Sequence, residues 1–269
     1  MARPFTKMHG LGNDFVVFDA RQDALALSAA QIRAICNRRT GIGCDQLFIM
    51  EPSADADVFM RIYNADGGEV SACGNGARCI ARLVAETQET GAVSIETLAG
   101  VIEGTVDGPG AAIDMGVPKL GWEDIPLAYG MDTLEMPVGW EELDAPSAVN
   151  MGNPHVVFFV PDVEAVPLER LGPQIETDPL FPERVNVGVA QITARGEIRL
   201  RVWERGAGLT QACGTGACAA AVAAMRRRLT ERKVTVRLPG GPLSIEWRSD
   251  DHVMMTGPAE ISFTGAIAL

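Results

Sequence analysis

Cys73 lies in the run SACGNGARC, which begins at Ser71, and Cys213 lies in the run QACGTGAC, which begins at Gln211. Each thiol precedes a Gly-polar-Gly turn and then a helix-forming stretch of small residues. Glycines let a backbone come close to a ligand. The first-turn amides of a helix point outward and attract an anion such as a carboxylate. The same field draws a thiol pKa down from about 8.5 towards neutrality. Each run therefore offers a carboxylate cradle and an activated thiol together. Two such thiols on opposite faces of one carboxylate-bearing molecule suit the inversion of a stereocentre. One, as thiolate, removes the proton α to the carboxylate, and the other, as thiol, returns a proton to the opposite face. Charge developing on the substrate is stabilised by amides already in place, most strongly where water is excluded.

The two thiols stand 140 residues apart, and that offset recurs along the chain. It brings Asn13 in LGNDFVV onto Asn153 in MGNPHVV, Gln46 onto Asn186, and Asn64 at the end of VFMRIYN onto Glu204 at the end of EIRLRVWE. A constant register over these positions indicates two copies of one domain-sized unit. Short β-rich runs separated by Gly, Pro, Asn and Asp read as an antiparallel meander. They cover Phe15 to Phe18, Gln46 to Met50, Val58 to Tyr63, Val93 to Thr97, Val156 to Val160, Val187 to Ile192, Glu197 to Trp203, Val234 to Leu238 and Leu243 to Trp247. A helix is expected from about Ser28, its N-cap, to Arg38, and two more after Cys73 and Cys213. The last of these, Ala217 to Met225, is apolar nearly all round and so should be buried on every side. The fold class expected is α/β (α+β), with two pseudo-symmetric lobes, each a curled, mainly antiparallel sheet around a central helix. The site is expected in the cleft between lobes, where ligands favour domain interfaces. The lobes are read as residues 1–117 and 118–261, with a last strand near 262–269 returning to the first. Gly116 to Ala148, rich in Pro, Gly, Trp and acidic residues, reads as a linker.

The 269 residues carry a net charge of −12, which argues against nucleic acid as a partner. The one dense basic run, Arg226-Arg227-Arg228, reads as a charged helix end complementing the dipole. No signal peptide or membrane span is legible, so a cytoplasmic protein is expected. The six cysteines, Cys36, Cys44, Cys73, Cys79, Cys213 and Cys218, form no Cys-x-x-Cys, and the histidines, His9, His155 and His252, keep no ligand spacing with them. Free thiols are expected, with no metal site, and Cys44, Cys79 and Cys218 as core residues.

Seven longer motifs make the chain resemble the diaminopimelate epimerases over essentially its whole length. They are KMHGLGNDFVV from Lys7, TGIGCDQL from Thr40, RIYNADG from Arg61, ACGNGARC from Ala72, MGNPHVV from Met151, FPERVNVG from Phe181 and WERGAGLTQACGTGAC from Trp203. The resemblance implies a cofactor-independent epimerase interconverting LL- and meso-diaminopimelate, and a homodimer. It implies that Cys73 and Cys213 are the acid–base pair, and that Gly74-Asn75 and Gly214-Thr215 hold the carboxylate at the reacting centre. Asn13, Gln46, Asn64, Asn153, Asn186, Glu204 and Arg205 would line the pocket and hold the distal amino-acid end. His155 and Glu204 would adjust the cysteine pKa values. Cys44 departs from the pattern, since many relatives have alanine there.

Other readings stay open on the residues alone. Asn13 and Asn153 equally suit Gly-Asn bends, Glu204-Arg205 a solvated strand end, and His155 a structural role. A pyridoxal-phosphate racemase would need a Schiff-base lysine, and Lys7, Lys119 and Lys233 are the lysines present, none in a phosphate-cradling loop. A proline-type racemase and a small-ligand binding module are the remaining rivals. The first is disfavoured by Glu204-Arg205, which suits a longer, doubly zwitterionic substrate. The second predicts no exchange of the substrate α-proton with solvent.

Overall fold

Runs such as DFVVF and QLFIM are apolar at consecutive positions, the pattern of strands buried on both faces. In the computed structural model, which describes residues 2–88, 91–108 and 110–269, these runs become strands with a helix against each face. The chain divides into two units, Met1–Asp114 with Thr256–Leu269, and Met115–Met255.

The first unit runs β1 (Ala2–Gly10), β2 (Asn13–Asp19), α1 (Ala29–Cys36), β3 (Gln46–Glu51), β4 (Val58–Asn64), β5 (Glu69–Val70), α2 (Gly74–Ala85), β6 (Ala92–Thr97), β7 (Gly100–Asp107) and β8 (Gly110–Asp114). Helix α1 begins at the expected cap, where Ser28 and Gln31 form a reciprocal capping box. It covers one face of the sheet, packing Ile32 and Ile35 with Val16, Phe18, Leu47 and Ile49. The alternate residues Phe15 and Phe48 lie with ring centroids 4.7 Å apart on the other face, where α2 packs against β1, β6, β7 and β8.

The second unit contains β9 (Gly139–Trp140), β10 (Leu143–Asp144), β11 (Ser147–Asn150), β12 (Pro154–Phe159), α3 (Leu168–Glu176), β13 (Asn186–Ala194), β14 (Glu197–Glu204), β15 (Gly208–Leu209), α4 (Gly214–Arg226), β16 (Lys233–Leu238) and β17 (Gly241–Trp247). The unit boundary falls inside β18 (Val253–Pro258), and β19 (Glu260–Ala268) runs antiparallel to β1 in the first unit. Every residue from Ala217 to Ala224 in α4 is fully buried, and strands β11 to β14, β16 and β17 pack around that helix. Small side chains make this close wrapping possible.

The duplication is visible in strand register. Phe15 pairs with Gln46 as His155 pairs with Asn186, and Leu47 pairs with Tyr63 as Val187 pairs with Trp203. The sheets are mostly antiparallel but are not a meander. Strands β2–β3, β4–β6, β12–β13 and β14–β16 are parallel, because a helix crosses between the members of each pair. Helix α3 was not read from the sequence. Pro167 stands at its N-cap without a side-chain cap bond and Pro173 lies inside it, so the usual start signal is missing and an interior breaker is present. Nor is Gly116 to Ala148 a spacer: Ile125, Leu127, Met136 and Leu143 are buried in the core of the second unit. The basic run lies at the C-terminal end of α4, and two of its side chains are also anchored. Arg226 donates to the carbonyls of Thr133 and Ala148, and Arg227 bonds to Glu135. Among the described residues, no helix is long and apolar enough to cross a membrane.

Candidate active site

Both repeat thiols are helix caps. Cys73 is the N-cap of α2 and Cys213 the N-cap of α4, each with extended backbone. The Cys73 Sγ accepts the Gly76 amide at 3.3 Å, and the Cys213 Sγ accepts the Gly216 amide at 3.3 Å. The sulfur thus takes the place that a Ser or Asp oxygen usually holds. This geometry explains the second glycine of each motif. A Cβ on Gly76 would lie 2.3 Å from Phe48 Cζ, and one on Gly216 would lie 3.1 Å from the Cys213 sulfur itself. Gly74-Asn75 and Gly214-Thr215 form the first turns, where amides lack intrahelical acceptors and suit a carboxylate.

The two thiols differ in setting. Cys73 is half-buried, whereas Cys213 is buried. Burial pushes the Cys213 thiol well above its ordinary range, and the Glu204 carboxylate adds to the effect. The hydrogen bonds from Thr215 and the Gly216 amide oppose this but do not win. A lowered pKa was expected here from the helix field, and desolvation reverses it. Burial also raises the Glu204 carboxyl, against hydrogen bonds from Thr210 and Cys213.

The remaining sequence-derived residues fall into two groups, one in each unit. In the first, Asn13 Oδ1 accepts from Asn75 at 3.3 Å, which ties the β1–β2 turn to the Cys73 helix. Gln46 and Asn64 are cross-strand partners, with Nε2 donating to Oδ1 at 2.9 Å. In the second, Asn153 Oδ1 lies 2.9 Å from His155 Nε2. His155 is fully buried, and burial, with the Arg205 charge adding, lowers its pKa to about 3. It is therefore a neutral imidazole near pH 7. Asn186 is committed at both ends of its amide, donating to the Pro154 carbonyl at 2.8 Å and accepting the Arg205 amide at 2.9 Å. The Arg205 guanidinium is exposed and donates to the Glu183 carbonyl at 2.9 Å.

Several supports were not read from the sequence. Asn13 Nδ2 donates to Asp45 at 2.9 Å, and Asp45 also receives Arg38 at 2.6 Å. Arg38 and Lys7 both pair with Asp14; burial raises that carboxyl, but their hydrogen bonds outweigh it and hold it well below the usual range. Asp14 and Asp45 lie inside quoted motifs, each beside a named site residue, and that adjacency was the available signal. Thr210 lies inside the last quoted motif but beside no named residue, and Glu176 lies outside all seven. Cys44 is buried as expected, yet it is not an isolated core residue, because its sulfur lies 3.4 Å from that of Cys36. Burial sends the Cys79 thiol to about 12, consistent with an inert core position. Among the described residues, no group of three or more His, Cys, Asp or Glu could hold a metal ion.

Known proteins are similar to this chain in sequence and in fold. The family model described as diaminopimelate epimerase matches residues 5–121 and 147–262, segments that hold every residue named above for the site. A diaminopimelate epimerase of Erythrobacter litoralis is 62% identical over 97% of this chain and 96% of its own. One of Rhizorhabdus wittichii is 59% identical, over 97% and 93%. Solved structures share the fold at low identity. A PhzF-family phenazine biosynthesis protein from Enterococcus faecalis has a TM-score of 0.72 at 15% identity, over 100% of both chains. A hydroxyproline epimerase from Agrobacterium vitis, with trans-4-hydroxy-L-proline bound, has a TM-score of 0.68 at 14% identity, over 100% of this chain and 93% of that one. The fold comes from the distant structures and the identity from the near relatives, and together they mean that the chain belongs to the diaminopimelate epimerase family.

Proposed function

We propose that this isomerase interconverts LL- and meso-diaminopimelate by a two-base mechanism in which Cys73 and Cys213 serve opposite faces of the α-carbon. The observation that carries the reading is the paired cap geometry: two thiols 140 residues apart, each on the third amide of an equivalent helix at 3.3 Å. In one direction Cys73 removes the α-proton and Cys213, held as a thiol by burial and by Glu204, delivers its own. In the other direction Cys213 must first lose its proton, and the Glu204 carboxylate that already accepts its hydrogen bond is the acceptor at hand. The carboxylate at the reacting centre sits on Gly74-Asn75 and Gly214-Thr215, whose amides stabilise the charge that develops as the proton leaves. Arg205 pairs with the distal carboxylate, and Asn13, Gln46, Asn64, Asn153 and Asn186 order or contact the distal amino-acid group. His155 acts as a neutral imidazole. No cofactor enters the scheme.

Single alanine replacements test this reading. Cys73→Ala and Cys213→Ala should each lose at least about a hundredfold in epimerisation of LL-diaminopimelate, the usual cost of removing a general acid or base. The thiol that remains can still exchange the α-proton of one isomer with solvent without inverting it. Wild-type epimerisation in either variant would sink the mechanism. The reading also places the enzyme in the cytoplasm, on the route to lysine and peptidoglycan precursors, as a homodimer. Light scattering behind size exclusion should then give twice the chain mass, and a monomer would contradict the dimer.

A further inference from the structure

Glu176 ends α3, and its carboxylate is buried, with 7% of the side chain exposed. A buried carboxylate is costly unless donors surround it. Here the indole N–H of Trp203 donates to one oxygen at 2.7 Å. The Gly206 amide donates to the other at 3.0 Å, and the Arg184 guanidinium lies 3.6 Å from that same oxygen. Trp203 and Gly206 flank the pair Glu204-Arg205. The two oxygens of one carboxylate therefore grip the chain on either side of that pair.

The helix is shaped for this grip. Gly172 stands one helical turn before Glu176 on the same face, and a Cβ there would lie 2.5 Å from Trp203 Cγ. Glycine lets the indole lie directly against α3. Beyond the grip the chain turns sharply, with φ of 75° at Gly206 and 86° at Gly208. The β13–β14 ladder already secures Trp203 from the other side, so the strand does not need Glu176 for its pairing. What the carboxylate adds is a fixed direction for the turn that carries Arg205. The Arg205 side chain is exposed and long, and its reach depends on where that turn points it.

We infer that Glu176 is a positioning residue for substrate recognition: with Gly172 and Trp203 it holds the Glu204-Arg205 turn so that Arg205 meets the distal carboxylate of diaminopimelate. The inference rests on the reading of Arg205 as a substrate contact.

Glu176→Gln keeps the shape but turns one acceptor into a donor, so Trp203 or Gly206 loses its partner. Trp203→Phe removes the indole donor and leaves the carboxylate intact. Steady-state kinetics on LL-diaminopimelate are compared with the indole 1H–15N resonances of the four tryptophans. The Trp203 resonance should shift in Glu176→Gln. KM should rise about tenfold, as for one lost hydrogen bond to a charged group, while kcat falls far less. Trp203→Phe should raise KM by less, and Glu176→Asp, which keeps both acceptors on a shorter stem, should recover part of the loss. A folded Glu176→Gln enzyme with wild-type KM, or one that loses only thermal stability, overturns the inference. If Glu176→Gln does not fold, Trp203→Phe decides by the same criteria. Arg205→Met separates the two levels of the argument. Wild-type KM in Arg205→Met removes the substrate contact and the inference with it. A raised KM in Arg205→Met, with wild-type values in Glu176→Gln and Trp203→Phe, removes only the role of Glu176.

Discussion

His155 shows how far burial governs single residues in this protein. It sits fully buried on β12 and stays neutral down to about pH 3. An unfolded imidazole takes up a proton below its ordinary pKa of about 6.5. Between those values the unfolded chain binds more protons, so stability rises with pH and is lost as pH falls through that window. Its contribution to the slope approaches about 1.4 kcal/mol per pH unit. His155→Gln, which does not titrate, should therefore show a flatter acid limb when melting temperature is followed from pH 7 to pH 4. An unchanged limb would show that the folded imidazole does take a proton. The same desolvation acts on Cys213 and Glu204. The sequence marked all three residues, but the sign at Cys213 was not legible in it. A helix N-terminus is visible as a motif, whereas burial is decided by side chains distant in the chain.

At the scale of elements, the caps of α2 and α4 are the parts on which the proposed chemistry rests. Gly76 leaves no room for a methyl group, since Phe48 lies against it. Gly76→Ala should push α2 off β3 or tilt its first turn. Overpacking of this kind costs roughly 1–3 kcal/mol, which urea denaturation would measure. Activity should fall further than stability alone explains, because the same amide caps the Cys73 sulfur. A fully active, equally stable Gly76→Ala enzyme would show that the cap has no bearing on catalysis. The motif glycines, the Ser28 cap and the all-apolar α4 were legible because each is a local signal. Parallel pairing was not, since it depends on which strands a crossover joins. Helix α3 was missed because its prolines hide a helix whose stability comes from packing Leu168, Leu171 and Ile175 into the core.

At the scale of the whole molecule, one unit is built from both ends of the chain. Strand β19 pairs with β1 from Ala2 to His9, and the Ala259 carbonyl just before it accepts from Arg82 of α2 at 2.5 Å. Ending the chain after Pro258 should leave β1 without its β19 partner, so that only Thr6 to Gly10 stay paired, with β2, and should leave α2 without that anchor. Loss of cooperative unfolding in the first unit and of all activity is expected, and a stable, active truncated enzyme would contradict this account of the fold. The duplication itself was legible, because polar residues recur at one offset, and Gln46 and Asn186 sit at the same register against β2 and β12. The central claim is that two different thiols handle the proton removed and the proton delivered. It is tested most directly by following LL-diaminopimelate in deuterated water at early conversion. The account predicts one deuterium at the inverted carbon of the meso product, while the remaining LL-diaminopimelate stays unlabelled. Product that keeps the original α-proton, or substrate that gains deuterium as fast as product forms, would contradict it.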